Sequence, residues 1–592
     1  MCGIVGYVGK GNAAPFLVEG LKKLEYRGYD SAGIALINDG KFVCKKRKGT
    51  VAEISDAADL CSGIGIGHTR WATHGAPSER NAHPHIYGRF AIVHNGILEN
   101  YALLKEQLES DGEIFISETD SEVVAHLLEK FYCGNLLSAL REVTEKLVGS
   151  YALAVLCLDQ PDIIVCARKA SPLLVGVKEG ACLIASDIPA IAGEGVTAYL
   201  LGDGEFALLN AAEAKFYSPQ LQPIRKNQLE YDPLISSSDK GGYVHFMKKE
   251  MSEIPCSVRN SICDFATKLK FSDFYQVLCQ TKYIHIVACG TAYHSGLAAK
   301  YAIERLARVP VEVTIASEFR YSNPVICSGT LAIAISQSGE TADTLAAAKL
   351  FRAKGVPLVA VTNVSYSSLT RIADFVLPTR AGSEIGVAAT KSYNAQLTVL
   401  YSLAIALENA KGKSGKSLER LKRLPRLATA TLEAAETVRS WTSHFVGARC
   451  VLFIGRGADY CAAVEGSLKL KEITYLPSEG YPAGELKHGT LALVDERTPV
   501  VVLLTNKRLA AKTMNAVHEA AARGAKVFLI TSIAEYLENE EVFASVLIPQ
   551  CSEAFTPLLS VIPLQALAYY TAIACGNDPD KPRNLAKSVT VE

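Results

Sequence analysis

Apolar and polar positions change rhythm twice along this chain. Up to about residue 210, short apolar runs such as FAIVHNGIL (90–98), SYALAVLCLD (150–159) and DIIVCARK (162–169) predict strands, while FLVEGLKKLEY (16–26) spaces its apolar residues as a helix does. Mixed in this way they predict an α+β domain. The polar stretch ISSSDKGGY (235–243) has the Ser and Gly content of a linker. Beyond it HIVACG, LAIAIS, PLVAVT and DFVLPT alternate with helical segments, the order of a parallel sheet covered on both faces. The series recurs as VLFIGRG, VVLLTN, KVFLIT and SVLIP, so two copies of one α/β unit are expected. The boundaries read from this pattern are a first domain at 2–215, a linker at 216–242, α/β units at 243–425 and 426–580, and a tail at 581–592. Two long apolar stretches, 393–407 and 557–575, read as buried helices. The first is short for a bilayer, and the second carries Ser560, Pro563, Gln565 and two tyrosines.

Bulk properties narrow the function. A chain of 592 residues supports three or four units. Lys plus Arg equals Asp plus Glu at 61 each, so no net field draws the whole protein to nucleic acid or an acidic membrane. The 16 cysteines lack CxxC pairs, and MCGIVGYVGK lacks the long apolar run of a secretory signal. Reduced thiols and a cytoplasmic location are the expectation.

Cys2 directly follows the initiator Met, and a residue this small ordinarily lets that Met be removed. The freed α-amine can then accept the thiol proton and return it to a leaving group, so one residue supplies nucleophile and base. An isolated MC start would carry little weight, but RGYDSAG (27–33), GHTRWATHG (67–75), HNGILEN (94–100) and ETDSE (118–122) are dense in groups that hold a glutamine zwitterion. Arg70 can fork onto an α-carboxylate and Asp120 can pair with an α-ammonium. The side-chain amide of Asn95 and the backbone N–H of Gly96 can hold the oxyanion formed at the amide carbon. With the start CGIVG, these segments resemble the glutaminase domain of the class II, N-terminal-nucleophile amidotransferases, over about the first 210 residues. The resemblance implies an αββα sandwich, Cys2 as nucleophile, Trp71 as a gating aromatic, and Thr73 and His74 beside Arg70 at the glutamine. His68, His74, His83, His85 and His94 lack carboxylate or thiolate partners at ligand spacing, so loop and core hydrogen bonding is expected of them, with no metal and no cofactor.

SQSGET (336–341) follows a strand-like run and precedes a helical one, presenting hydroxyls and free N–H groups to an anion at a helix start. A plain N-cap would need only one of these residues. No GxxxxGK[ST] loop occurs, so a nucleoside triphosphate is not indicated. CGTAY (289–293) would lie near the same sheet edge, which brings Thr291 towards the phosphate. SQSGET in this setting resembles the sugar isomerase (SIS) domain, and the repeat a tandem SIS pair; that alone fits an enzyme or a sugar-phosphate sensor. In the second copy, EGSLKLKEITY (465–475), GELKHG (484–489) and PRNLAKSVTVE (582–592) gather Lys469, Glu472, His488 and Lys587. Standing alone, Lys469 and Glu472 would read as an exposed helix-surface salt bridge.

End to end, the chain resembles the isomerising glutamine:fructose-6-phosphate aminotransferases. The resemblance implies a sugar phosphate held by Thr291, Ser336, Gln337, Ser338 and Thr341, with Val387 and Lys469 nearby. It also implies His488 opening the sugar ring from a neighbouring subunit of a homodimer, Lys587 forming a Schiff base, and Glu472 moving a proton between C1 and C2. Ala292 and Ala389 stand where that family usually has serine, each removing a hydroxyl from the expected pocket. The competing readings are another class II amidotransferase, such as one acting on phosphoribosyl pyrophosphate, and a non-catalytic sugar-phosphate sensor. The first would call for an acidic phosphoribosyl-binding loop that is not found, and the second would need neither Cys2 nor Lys587. Coupling two such sites would demand a water-poor path for ammonia.

Overall fold

A computed structural model describes residues 2–230, 240–268, 273–413 and 416–590. The linker residues at 235–239 lie outside these. The chain forms two compact units, one of residues up to 239 together with 586–592, the other of residues 240–585.

The first unit contains two seven-stranded antiparallel sheets. One is ordered Thr197–Leu200, Leu174–Lys178, Ala181–Ala185, Gly3–Gly9, Ile64–Arg70, Ser31–Asn38, Lys41–Lys48. The other is ordered Pro223–Ile224, Ala214–Tyr217, Phe206–Leu209, Gln160–Lys169, Gly149–Cys157, Phe90–Leu98, His85–Tyr87. Ile4, Val8 and Ile66 of the first meet Ala91, Val93 and Ala154 of the second in one apolar core, so the sheets pack face to face. Helix Ala13–Lys23, capped by the Asn12 side chain on Ala14 N–H, covers the first sheet. Helices Glu122–Phe131 and Leu136–Lys146 cover the second, which completes the αββα layering.

The second unit holds two five-stranded parallel sheets. Their orders are Val311–Ile315, Tyr283–Ala288, Thr330–Ile335, Leu358–Thr362, Phe375–Pro378 and Ser478–Pro482, Val451–Gly455, Val500–Leu504, Val527–Thr531, Ala544–Leu547. Numbered along the chain, both read 2-1-3-4-5, so the repeat legible in the apolar runs is a repeat of topology. In each, the strand order reverses between first and third strands, where open α/β sheets bind ligands. The two apolar stretches form the buried helices Lys391–Ala410 and Thr556–Ala574. Among the described residues, only the second is long and apolar enough to cross a membrane, and 83% of its most apolar stretch is buried in the protein.

Three boundaries differ from the sequence reading. Residue 215 falls inside strand Ala214–Tyr217, whose hairpin partner Pro223–Ile224 carries the second sheet past the expected linker start. The 425/426 division falls inside helix Leu424–Ala435, because Pro425 sits in its first turn, where proline is tolerated. The tail is split, with Lys581–Leu585 in the second unit and residues from Ala586 in the first.

Helix Ala458–Thr474 packs on Thr556–Ala574 through Gly466, where an added Cβ would come 2.6 Å from a Leu564 methyl. Gly466→Val is therefore expected to overpack this crossing, costing about 2 kcal/mol and lowering the thermal midpoint of the second unit by several degrees in calorimetry.

Candidate active sites

Cys2 enters strand Gly3–Gly9, and register sets its surroundings. Gly3 opposes Thr69 and Ser31 opposes Arg70, which brings the end of Ile64–Arg70 beside Cys2. The Cys2 carbonyl accepts from Arg27 Nε at 3.0 Å and Asn95 Nδ2 at 3.1 Å. Its Sγ lies between Trp71 N–H, at 3.4 Å, and Trp71 O, at 3.6 Å. Burial pushes the thiol above its ordinary value, against lowering by the Trp71 N–H and by Arg70 and Arg27.

Arg70 is anchored by its Nη2 on the carbonyls of His74 and Gly75, while Nη1 is buried with no hydrogen-bond partner among the described residues. A buried guanidinium edge left open in this way is built to receive a carboxylate. Asp120 is buried, accepting Leu98 N–H at 2.9 Å and the Ser121 hydroxyl at 3.4 Å. Asn95 Nδ2 also reaches Ser186 Oγ at 2.7 Å, while its Oδ1 meets His68 Nε2 at 3.0 Å, so the amide's orientation is held from both ends. Gly96 has φ +140°, and a Cβ there would lie 2.0 Å from Ser150 O; only glycine fits. Thr73 is exposed and His74 stands edge-on to Tyr101.

The sequence reading quoted RGYDSAG without giving Arg27 a role. It fixes Cys2 and pairs with Asp187 at 3.3 Å, and Asp187 also takes Tyr26 OH at 2.6 Å. Asp187 lies in SDIPA, which carries no recognisable signal. Among the histidines, His85 meets Thr119 and His94 meets Ser121, as core hydrogen bonding requires. His83 departs from that expectation: its ring is tilted against His68 and edge-on to His85, and neither ring nitrogen has a hydrogen-bond partner among the described residues. No group of three or more metal-ligating side chains occurs among the described residues.

In the second unit, SQSGET follows strand Thr330–Ile335 and opens helix Ala342–Ala353 at the reversal point of the first sheet. Ser336 Oγ accepts Gly339 N–H at 3.0 Å and meets Thr341 Oγ1 at 2.9 Å; Ser338 Oγ accepts Glu340 N–H at 3.2 Å. The Gln337 carbonyl is tied to Asn363 N–H, leaving its side chain partly exposed. The N–H groups of residues 342–344 precede the first intrahelical bond, from Leu345 to Thr341, at the positive end of the helix dipole. Val387 is linked through its N–H to Asp580 O at 3.3 Å. In the second sheet, Asp459 accepts Thr505 N–H and hydroxyl at 2.9 and 2.5 Å, and burial lifts its carboxyl to about 6. The corresponding N–H of the first copy, that of Ser336, is bonded instead to Val361 O at 3.0 Å.

Lys469 and Glu472 do not form the exposed pair that helix spacing alone would suggest. Lys469 is wholly buried, with Nζ 2.6 Å from Glu472, 3.0 Å from Thr291 Oγ1 and 3.5 Å from buried Glu465. Burial lowers its proton affinity, but Glu472 and Glu465 more than offset this, and its pKa is raised. Thr291 is thereby committed to Lys469 and Glu465 rather than standing with the SQSGET hydroxyls. His488 is exposed just after the short helical turn Glu485–Lys487, its ring without a hydrogen bond or ion pair among the described residues. Lys587 lies in the segment grouped with the first unit and is partly buried.

Comparison with known proteins agrees with this division. A glutamine amidotransferase domain model matches residues 68–193, and an SIS domain model matches 277–406 and 444–574. Over its full length, and theirs, the chain is 48% identical to the glutamine–fructose-6-phosphate aminotransferase (isomerizing) of Clostridium tetani and 49% identical to that of Caldanaerobacter subterraneus. The solved C-terminal domain of glucosamine-fructose-6-phosphate aminotransferase from Francisella tularensis is covered completely by 58% of this chain, at 38% identity and a TM-score of 0.57.

Burial holds His68 and His85 down to about 3 and His83 well below 6.5. These native values lie below the unfolded 6.5, so the unfolded chain takes up protons first as pH falls. Stability of the first unit is expected to be whole above 6.5 and to decline towards pH 3, at about 1.4 kcal/mol per pH unit for each histidine. Hydrogen exchange of the strand Ile64–Arg70 between pH 8 and 5, with and without His83→Phe, measures the slope and the share of one ring.

Proposed function

The chain belongs to the isomerising glutamine–fructose-6-phosphate aminotransferases, and from that membership we propose that it hydrolyses glutamine and uses the ammonia to convert fructose 6-phosphate to glucosamine 6-phosphate. The observation that carries the reading is the presence, in one chain, of Cys2 cradled beside an open arginine edge and of buried Lys469 paired with Glu472 in the unit that bears SQSGET.

Arg70 Nη1 takes the glutamine α-carboxylate and Asp120 the α-ammonium. Cys2 Sγ attacks the amide carbon, its proton passing to the freed α-amine and then to the departing ammonia, and water cleaves the thioester to glutamate. Asn95 Nδ2 and Gly96 N–H receive the oxyanion, which requires the Asn95 amide to be shared with the Cys2 carbonyl. Trp71 gates, with Thr73 and His74 at the rim. At the other centre Ser336, Gln337, Ser338 and Thr341 hold the phosphate, with Thr291 acting through Lys469 and Val387 as part of the wall. His488 of a neighbouring subunit opens the ring, which calls for a homodimer. Lys587 condenses with the C2 ketone, losing water; ammonia replaces it as imine, and Glu472 moves a proton from C1 to C2 to give the aldose. Free cysteines and a phosphorylated substrate support a cytoplasmic enzyme.

The full chain with glutamine and fructose 6-phosphate is expected to give glutamate and glucosamine 6-phosphate in equal amounts. Cys2→Ala should lose glutamine hydrolysis by about 10³-fold or more, while Lys587→Ala should lose aminosugar and retain hydrolysis. Ordering of the tail over bound sugar would gate the glutaminase. Glutamate release is then low without fructose 6-phosphate, and a sugar-independent full rate contradicts the gating.

A further inference from the structure

The polar chain around Lys469 extends one residue beyond the groups used above. Glu465 is wholly buried on helix Ala458–Thr474. It accepts the Thr291 hydroxyl on Oε1 at 3.0 Å and faces His294 Nδ1 through Oε2 at 2.7 Å. Thr291 and His294 lie three residues apart on one face of helix Gly290–Leu306. The order of contacts is thus His294, Glu465, Thr291, Lys469, Glu472.

Lys469 is buried between two carboxylates, the partly exposed Glu472 at 2.6 Å and the wholly buried Glu465 at 3.5 Å. A single ammonium cannot satisfy both, and an unpaired buried carboxylate is costly. The other groups nearby do not relieve Glu465. Glu384 adds a third negative charge near Lys469 and is committed to Thr390 N–H and to Ser392. Tyr393 on helix Lys391–Ala410 is buried and its hydroxyl bonds nothing among the described residues. Lys471, Glu479 and Tyr481 line a cavity of about 540 Å³ on which His294 and Tyr293 border. That leaves His294 as the donor for Oε2.

We infer that His294 is a positioning residue for the proton transfer: by holding Glu465, it keeps Lys469 on Glu472 and so sets the protonation behaviour of that carboxylate. The inference rests on the reading of Glu472 as the C1–C2 base. Without a donor at Oε2, Lys469 shifts to Glu465, Glu472 loses its cation, and its affinity for a proton rises.

The test is the pH dependence of kcat/KM for fructose 6-phosphate, read as glucosamine 6-phosphate formed by the full chain, in wild type, His294→Leu and His294→Asn. Asparagine retains a neutral donor near the position of Nδ1. The acid limb is expected to move up by about one pH unit in His294→Leu, with kcat about tenfold lower, and to stay in place in His294→Asn. In a Glu465→Gln background, where Lys469 has no second carboxylate to follow, His294→Leu should cause no further displacement; this comparison decides if His294→Leu alone proves unstable. An unmoved limb in His294→Leu, an equal displacement in His294→Asn, or a further displacement in the Glu465→Gln background overturns the inference alone. Absence of glucosamine 6-phosphate from the wild type overturns it together with the functional reading.

Discussion

An ammonium that water does not reach must be matched by carboxylates within hydrogen-bond distance, and Lys469 imposes that constraint on the second unit. Its partners fix the rotation of helix Ala458–Thr474 so that Glu465, Lys469 and Glu472 face one way, and they bring Thr291 of helix Gly290–Leu306 against them. Since Gly290–Leu306 starts at the reversal point of the first sheet, the same ion cluster relates the two SIS copies to each other. The second copy keeps the fold but differs at its reversal point, where Asp459 engages the Thr505 donors, and it carries the Lys469–Glu472 pair while the first carries SQSGET.

The first unit obeys a similar rule with its polar groups arranged round a chain end. Cys2 is held through its carbonyl by Arg27 and Asn95, and its Sγ is hydrogen-bonded to the backbone of Trp71. Arg27 is held in turn by Asp187 and Asn95 by Ser186 and His68, so Cys2 is placed by the ends of several strands. Arg70 spends one nitrogen on the loop that follows it and keeps another without a partner among the described residues, a pattern that suits a carboxylate.

Much of this was legible because apolar runs report buried strands. The four runs noted in each SIS copy are four of the five strands, and those missed are both edge strands. Ser478–Pro482, SEGYP, is polar with a Gly and a Pro, as an edge position allows; Val311–Ile315 alternates weakly beside a covered edge. The site residues brought together by helix spacing, Lys469 with Glu472, and by a single loop, SQSGET, were also readable. Thr291 was drawn towards the phosphate because its loop adjoins SQSGET, whereas the structure turns its hydroxyl to a helix 174 residues further on. His294, Arg27 and Asp187 carry no local signal, since each acts through a contact that only the tertiary fold creates, whereas Glu465 lies one helical turn before Lys469.

Two chemistries on one polypeptide make sense only if nitrogen passes between them without mixing with the solvent. The most direct measurement supplies amide-¹⁵N glutamine and fructose 6-phosphate to the full chain in excess unlabelled ammonium, and reads the isotope in the aminosugar. Glucosamine 6-phosphate carrying ¹⁵N essentially throughout is the predicted result. Product labelled in proportion to the ammonium pool, or no aminosugar at all, would contradict the account.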